Sequence, residues 1–170
     1  MEREEPNPRL RYFNEEGDCL SPFKHASWRG CCLNRDRFDA TLMPRFLFDA
    51  VVEAAGASEL LVAIYTPHRP EVFQHSADWA AFQGVVSRPA NQSMEHVLFD
   101  SSGKWAILGE LDVMVLGASS DVADRIDMVL RQHGTSFRQM TVWDYPETQS
   151  SDDERFAYMR AVVSGGHSIG

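Results

Sequence analysis

Three cysteines and one histidine are the residues whose types and spacing come closest to a chemical site. Cys19, His25, Cys31 and Cys32 lie within fourteen residues. Four such side chains could hold a zinc ion, but structural zinc sites usually place paired cysteines two to four residues apart. Cys31 and Cys32 are adjacent, so their side chains tend to point apart. We therefore expect buried apolar thiols here, with a zinc site as the alternative.

The same cysteines could supply a thiol nucleophile. Such catalysis needs a base within hydrogen-bond reach of the sulfur. The candidate bases are His25, His68, His75 and His96. None of the local signatures of cysteine enzymes surrounds any of the three cysteines. The sequence thus favours structural thiols over catalytic ones.

Carboxylates offer a third kind of chemistry. Three acidic residues fall near the ends of predicted strands, where a pair of carboxyl groups could share a proton: Asp100, Glu110 and Asp112. Aspartate is also common at turns because it hydrogen-bonds to its own backbone, and we favour that role. The sequence contains no phosphate loop, serine-hydrolase elbow, zinc-protease or EF-hand motif. We therefore expect that the protein is not an enzyme. Two other functions remain open: a small cytoplasmic hydrolase that uses a Cys/His or carboxylate site, and a non-catalytic adaptor domain.

The chain as a whole is acidic and has the composition of a globular protein. It has 170 residues, 44% hydrophobic, with a net charge of -9, which suits one domain over residues 1–170. Binding of nucleic acid requires Lys and Arg at the phosphates, so acidity disfavours it and favours a basic protein partner. No signal peptide or membrane-spanning run is visible. We expect a cytoplasmic protein without cofactor or metal, and its sequence is compatible with a homodimer.

Periodicity predicts an α+β fold in which an antiparallel β-meander, as a single layer of sheet, packs against about four helices. The predicted helices cover 41–55 (with Thr41 as N-cap, Pro44 in the first turn and Gly56 just beyond the end), 71–86, 119–133 and the stretch after a capping box at 151–154. The predicted strands are 60–66, 96–100, 104–109, 113–116 and 137–145. Residues 1–37 are predicted as an irregular arm with one or two short extended pieces, and 164–170 as a flexible tail.

One segment resembles a known family. The stretch VLFDSSGKWAIL (97–108), followed by DVMVLGAS (112–119), is similar to a pattern of bacterial immunity proteins, the inhibitors of polymorphic or contact-dependent toxins. The resemblance covers residues 96–133 and implies tight binding to a cognate toxin, with no catalytic residue. Toxin nucleases are often basic, so acidic side chains are the candidate contacts. Those residues are Glu110, Asp112, Asp121, Asp124 and Asp127.

Overall fold

The computed structural model describes residues 7–14, 22–34, 43–65, 70–92, 94–110, 112–150 and 154–165. Its strands are β1 (Arg29–Asn34), β2 (Glu59–Tyr65), β3 (Pro70–Ser76), β4 (His96–Phe99), β5 (Trp105–Gly109) and β6 (Val113–Ala118). Its helices are α1 (Pro8–Tyr12), α2 (Arg45–Ala55), α3 (Trp79–Val86), α4 (Ser120–Gln132), α5 (Phe137–Asp144) and α6 (Glu154–Ser164), with a 3-10 turn at Pro146–Gln149.

All six strands form one antiparallel sheet in the order β1-β6-β5-β4-β2-β3. The predicted meander is therefore confirmed as β4-β5-β6 at its centre, and the α+β class with a single layer of sheet is confirmed with it. The first turn of the meander ends in Gly103, whose φ of 70° is a conformation that glycine adopts without steric cost. The strand β6 runs on through Gly117 to Ala118, beyond its predicted end at residue 116. Gly117 is required there because a Cβ would lie 2.2 Å from the Phe23 ring.

Helices cover both faces of the sheet. One face packs under α2, α3, α4 and the start of α5, and it includes Trp105. The apolar stripe of α4 also lies on this face and consists of Val122, Ile126, Val129 and Leu130. The other face packs under α1, α6 and an aromatic group: Tyr12, Phe13, Phe23 and Trp28. Successive strand residues point to opposite faces, so the inner strands bury nearly every side chain.

The prediction of one helix over 71–86 is wrong in its first half. Residues 70–76 form β3, a strand paired to β2, and only 79–86 form a helix. The helix begins after Asp78, whose carboxylate accepts a hydrogen bond from the Ala81 N–H at 2.9 Å. A hairpin partner earlier in the chain decides the conformation of this segment.

The predicted strand over 137–145 is also wrong, because Phe137–Asp144 is helix α5. Ser136 caps it by accepting a hydrogen bond from the Gln139 N–H. Phe137, Met140 and Thr141 are buried at helical spacing, so the alternation of apolar residues along this segment was coincidental.

The remaining boundaries differ in smaller ways. Helix α2 begins after Pro44, which takes the N-cap position, and Gly56 ends it in the left-handed conformation with φ 63°. The N-terminal region contains helix α1 and the edge strand β1 in addition to irregular chain. Thr41, Thr66, the capping-box residues 151–153 and the tail residues 166–170 lie outside the described residues.

Candidate functional site

The five predicted contact residues do not form one surface, since they divide between the two ends of β6. Glu110 and Asp112 flank the bend before that strand, whereas Asp121 and Asp124 lie on α4, which begins just after it. Six extended residues span roughly 20 Å. The sequence placed these acids in one continuous segment, but the strand between them keeps the two pairs apart.

At the first end, Glu110 holds the N-terminal helix. Arg9 of α1 forms ion pairs with Glu110 at 2.5 Å and with Glu95 at 2.9 Å. The Arg9 backbone N–H also donates to the Tyr65 hydroxyl at 2.6 Å. Glu110 is therefore engaged within the fold, while Asp112 beside it is exposed.

On α4, Asp121 and Asp124 are exposed but paired with cations. Asp121 lies 3.3 Å from the Lys104 ammonium and 3.7 Å from the Arg125 guanidinium, and Asp124 pairs with Arg29. Hydrogen bonds from the Ser119 hydroxyl and from Lys104 lower the pKa of Asp121 to about 2. This part of the surface is thus charge-balanced rather than strongly acidic.

Asp127, the fifth predicted contact residue, is buried on α4. Only 8% of the surface of this residue is exposed to solvent. One carboxylate oxygen accepts the Phe137 N–H at 2.9 Å and the other accepts from Arg131 at 3.1 Å. Asp127 therefore satisfies a backbone donor at the start of α5, and as placed it cannot meet a partner directly.

The cysteines behave as buried thiols in the part of the chain that is described. Cys31 and Cys32 are fully buried and point to opposite faces of the sheet. Burial raises the pKa of Cys31 well above its ordinary value and that of Cys32 to about 12. Cys19 lies outside the described residues, and within those residues no group of three potential ligands could hold a metal ion.

Within the described residues, neither the histidines nor Asp100 assemble a catalytic site with Cys31 and Cys32. His96 lies on β4, three strands from β1, which is roughly 14 Å at the usual strand spacing. His75 is farther still, on β3, and His25 is exposed and stacks on Trp28 with ring centroids 5.1 Å apart. His68 lies outside the described residues. Asp100 accepts the Trp105 indole N–H at 2.8 Å and the Ser102 N–H at 2.9 Å, which is the expected turn role.

A feature that the sequence interpretation missed is an apolar groove of about 620 Å³ beside α5. Trp143, on α5, is 77% exposed and Phe46, at the start of α2, is 43% exposed. We call this feature the Trp143 groove. Its lining residues are Leu33, Pro44, Phe46, Gly134, Thr135, Gln139, Met140, Val142, Trp143 and Pro146.

The exposure of Trp143 follows from the geometry of α5. Residues 137, 140 and 141 form the buried face of the helix, and a residue at 143 then falls on the outer side at 100° per residue. A helical interpretation of 137–144 would have placed Trp143 outside the core. The predicted strand over 137–145 instead grouped Trp143 with buried positions, so the sequence did not indicate the groove.

Comparison of the chain with known protein families, with curated proteins and with solved structures gives no match. Among the helices of the described residues, none combines the length and apolarity that crossing a bilayer requires. The surface of the chain itself is accordingly the basis for a functional proposal.

Proposed function

We propose that this protein is an immunity-type inhibitor that neutralises a bacterial toxin by binding to it directly, and that the Trp143 groove carries most of the binding energy. The observation that carries the proposal is the exposed indole of Trp143 beside the exposed ring of Phe46. Large aromatic side chains at the centre of an interface dominate binding energies, and exposed apolar patches mark such interfaces.

The degree of exposure favours a protein partner over a small molecule. A volume of about 620 Å³ would also suit a small ligand. Small-molecule sites, however, enclose their aromatic walls, whereas Trp143 leaves 77% of its surface in water. A protein surface can cover such a ring and the groove beside it together, so a side chain of the toxin entering the groove accounts for both features.

The charge of the chain supports a basic partner. The net charge is -9, and exposed acids remain near both ends of β6, namely Asp112, Asp121 and Asp124. Exposed ion pairs such as that of Asp121 with Lys104 contribute little stability, so they can re-pair with a partner at small cost. These acids should therefore steer association, while the Trp143 groove holds the complex.

The test is binding and protection with the product of the gene adjacent to this one, since an immunity gene is expected beside its toxin gene. Co-expression should relieve toxicity and give a stable complex. Trp143→Ala should raise Kd about 30-fold or more, the size of a hot-spot loss, mainly through koff. The matched control is Met128→Ala, which removes another exposed apolar side chain, at 55% exposure, outside the groove.

Charge reversal separates steering from holding. Asp124→Lys should lower kon and flatten its dependence on salt, with koff nearly unchanged. If a complex forms but Trp143→Ala binds like the wild type, the groove is not the contact surface. If no complex and no protection are found, the inhibitor function itself is wrong.

A further inference from the structure

The two edges of the sheet are treated differently by the fold. At the β1 edge, the outward N–H of Cys32 donates to the Thr141 hydroxyl at 3.0 Å, and the N–H of Asn34 donates to the Asp144 carboxylate at 2.8 Å. Both acceptors lie on α5, one helical turn apart. Helix α5 therefore closes this edge against pairing with another strand.

The β3 edge is left open. The bond from the Ala77 N–H to the Ser58 carbonyl continues the ladder of β2 and β3. Hydrogen-bonded pairs recur at every second residue of an antiparallel ladder, so Phe73 and His75 bond to β2 while the backbone groups of Val72 and Gln74 point outward. Within the described residues nothing hydrogen-bonds to those outward groups, and Val72 is 49% exposed.

We propose that β3 pairs antiparallel with β3 of a second copy of this chain, about a twofold axis at Phe73, so that two sheets become one of twelve strands. In this register Val72 of each copy lies opposite Gln74 of the other, and their outward N–H and C=O groups make four hydrogen bonds. The axis is perpendicular to the sheet, so each helical layer continues on its own side.

The side chains select this register. It places Phe73 opposite its own equivalent, and the exposed Glu71 opposite the half-buried His75 of the second copy. Aromatic pairs across neighbouring strands are stabilising. Moving the axis to Val72 places Glu71 opposite Phe73, and moving it to Gln74 places Phe73 opposite His75 and Glu71 opposite Ala77. Of these three registers only the axis at Phe73 pairs the two phenylalanine rings, and that self-pairing favours a second copy over an unrelated strand.

Sedimentation velocity over a concentration series tests the dimer. The wild type should sediment as a species with twice the 19.2 kDa mass of one chain. Gln74→Pro removes an outward N–H without touching the β2 ladder, a position where an edge strand tolerates proline. It should raise the dimer Kd about 30-fold or more, whereas the control Gln74→Ala, which keeps the N–H, should not. Circular dichroism should show both variants folded. A wild type that stays monomeric at the highest concentration, or equal effects of the two variants, overturns the proposal.

Cysteine cross-linking tests the register independently, in a Cys19→Ser background. Phe73 faces its equivalent at a non-hydrogen-bonded position, where Cα atoms approach to about 4.5 Å, within the range of a disulfide. Phe73→Cys should therefore form a covalent dimer under mild oxidation. Val72→Cys and Gln74→Cys are the controls, since each cross-links efficiently only if the axis is shifted to it. Preferential cross-linking of either control, or of none of the three, contradicts the proposed pairing.

Discussion

Asp127→Ala should destabilise the protein because the Phe137 N–H at the start of α5 would lose its acceptor. That bond is 2.9 Å long, Phe137 is 1% exposed and Asp127 is 8% exposed, so water cannot easily replace the carboxylate. Leaving a buried donor unsatisfied costs about 1–3 kcal/mol. We expect the free energy of unfolding to fall by about 2 kcal/mol, the middle of that range.

Urea unfolding followed by circular dichroism measures this change, and a loss of about 2 kcal/mol should lower Tm by roughly 4–8 °C in a domain of this size. Asp127→Asn keeps an oxygen acceptor and should cost less than the alanine variant. The matched control is Asp124→Ala on the same helix, whose exposed ion pair with Arg29 is worth about 0–1 kcal/mol. Equal losses for Asp127→Ala and Asp124→Ala would refute the role of Asp127 as the acceptor of the Phe137 N–H.

Two further predictions concern titratable groups. The buried thiols of Cys31 and Cys32 have raised pKa values. In a Cys19→Ser variant they should therefore react slowly with a thiol reagent at pH 8, and rapidly after unfolding in urea. One fast thiol in the folded protein would contradict their burial. The pKa of Asp121 is lowered from its ordinary 3.8 to about 2, so its contribution to stability is present above about pH 4 and lost as pH falls toward 2. Asp121→Asn should lack that part of the acid dependence. Urea unfolding of both proteins between pH 2 and 6 measures it, and a variant that loses stability in parallel with the wild type would contradict the prediction.

The central sheet could be predicted from sequence because its signals are local. Alternating and continuous apolar runs mark β2, β4 and β5, and the turn residues Asp100 and Gly103 lie between the last two. Helix α4 has an apolar stripe at helical spacing, and all of its stripe residues are buried. In these segments each residue's own preference agrees with the fold around it.

The two misassigned segments depend on contacts that are distant in sequence. Strand β3 needs the partner β2, since its burial alternates between exposed and half-buried positions and supplies no strong pattern alone. Helix α5 docks through Thr141 on Cys32, 109 residues earlier. A short window around either segment contains neither partner, so its apolar spacing could be taken for the wrong period.

The predicted binding residues failed to form one surface for a related reason. Charge can be read from sequence, but the cations that pair with it cannot. Glu110 pairs with Arg9, 101 residues away, and Asp124 pairs with Arg29, 95 residues away. Both arginines come from the N-terminal region, where the sequence predicts mostly irregular chain, so nothing local indicated that these acids would be engaged.

Helix α5 connects the functional proposal to the fold. Its inner side is held at three points: by Asp127 at the Phe137 N–H, by Thr141 at Cys32 and by Asp144 at Asn34. The backbone beneath the exposed Trp143 is therefore held in place, so a partner that covers the ring does not have to order the helix, which favours tight binding. Asp127, expected from the sequence to touch the toxin, would then act on binding only by holding α5 in place. Its substitution should weaken binding in proportion to the loss of fold at α5, while Trp143→Ala should weaken binding in a fully folded protein.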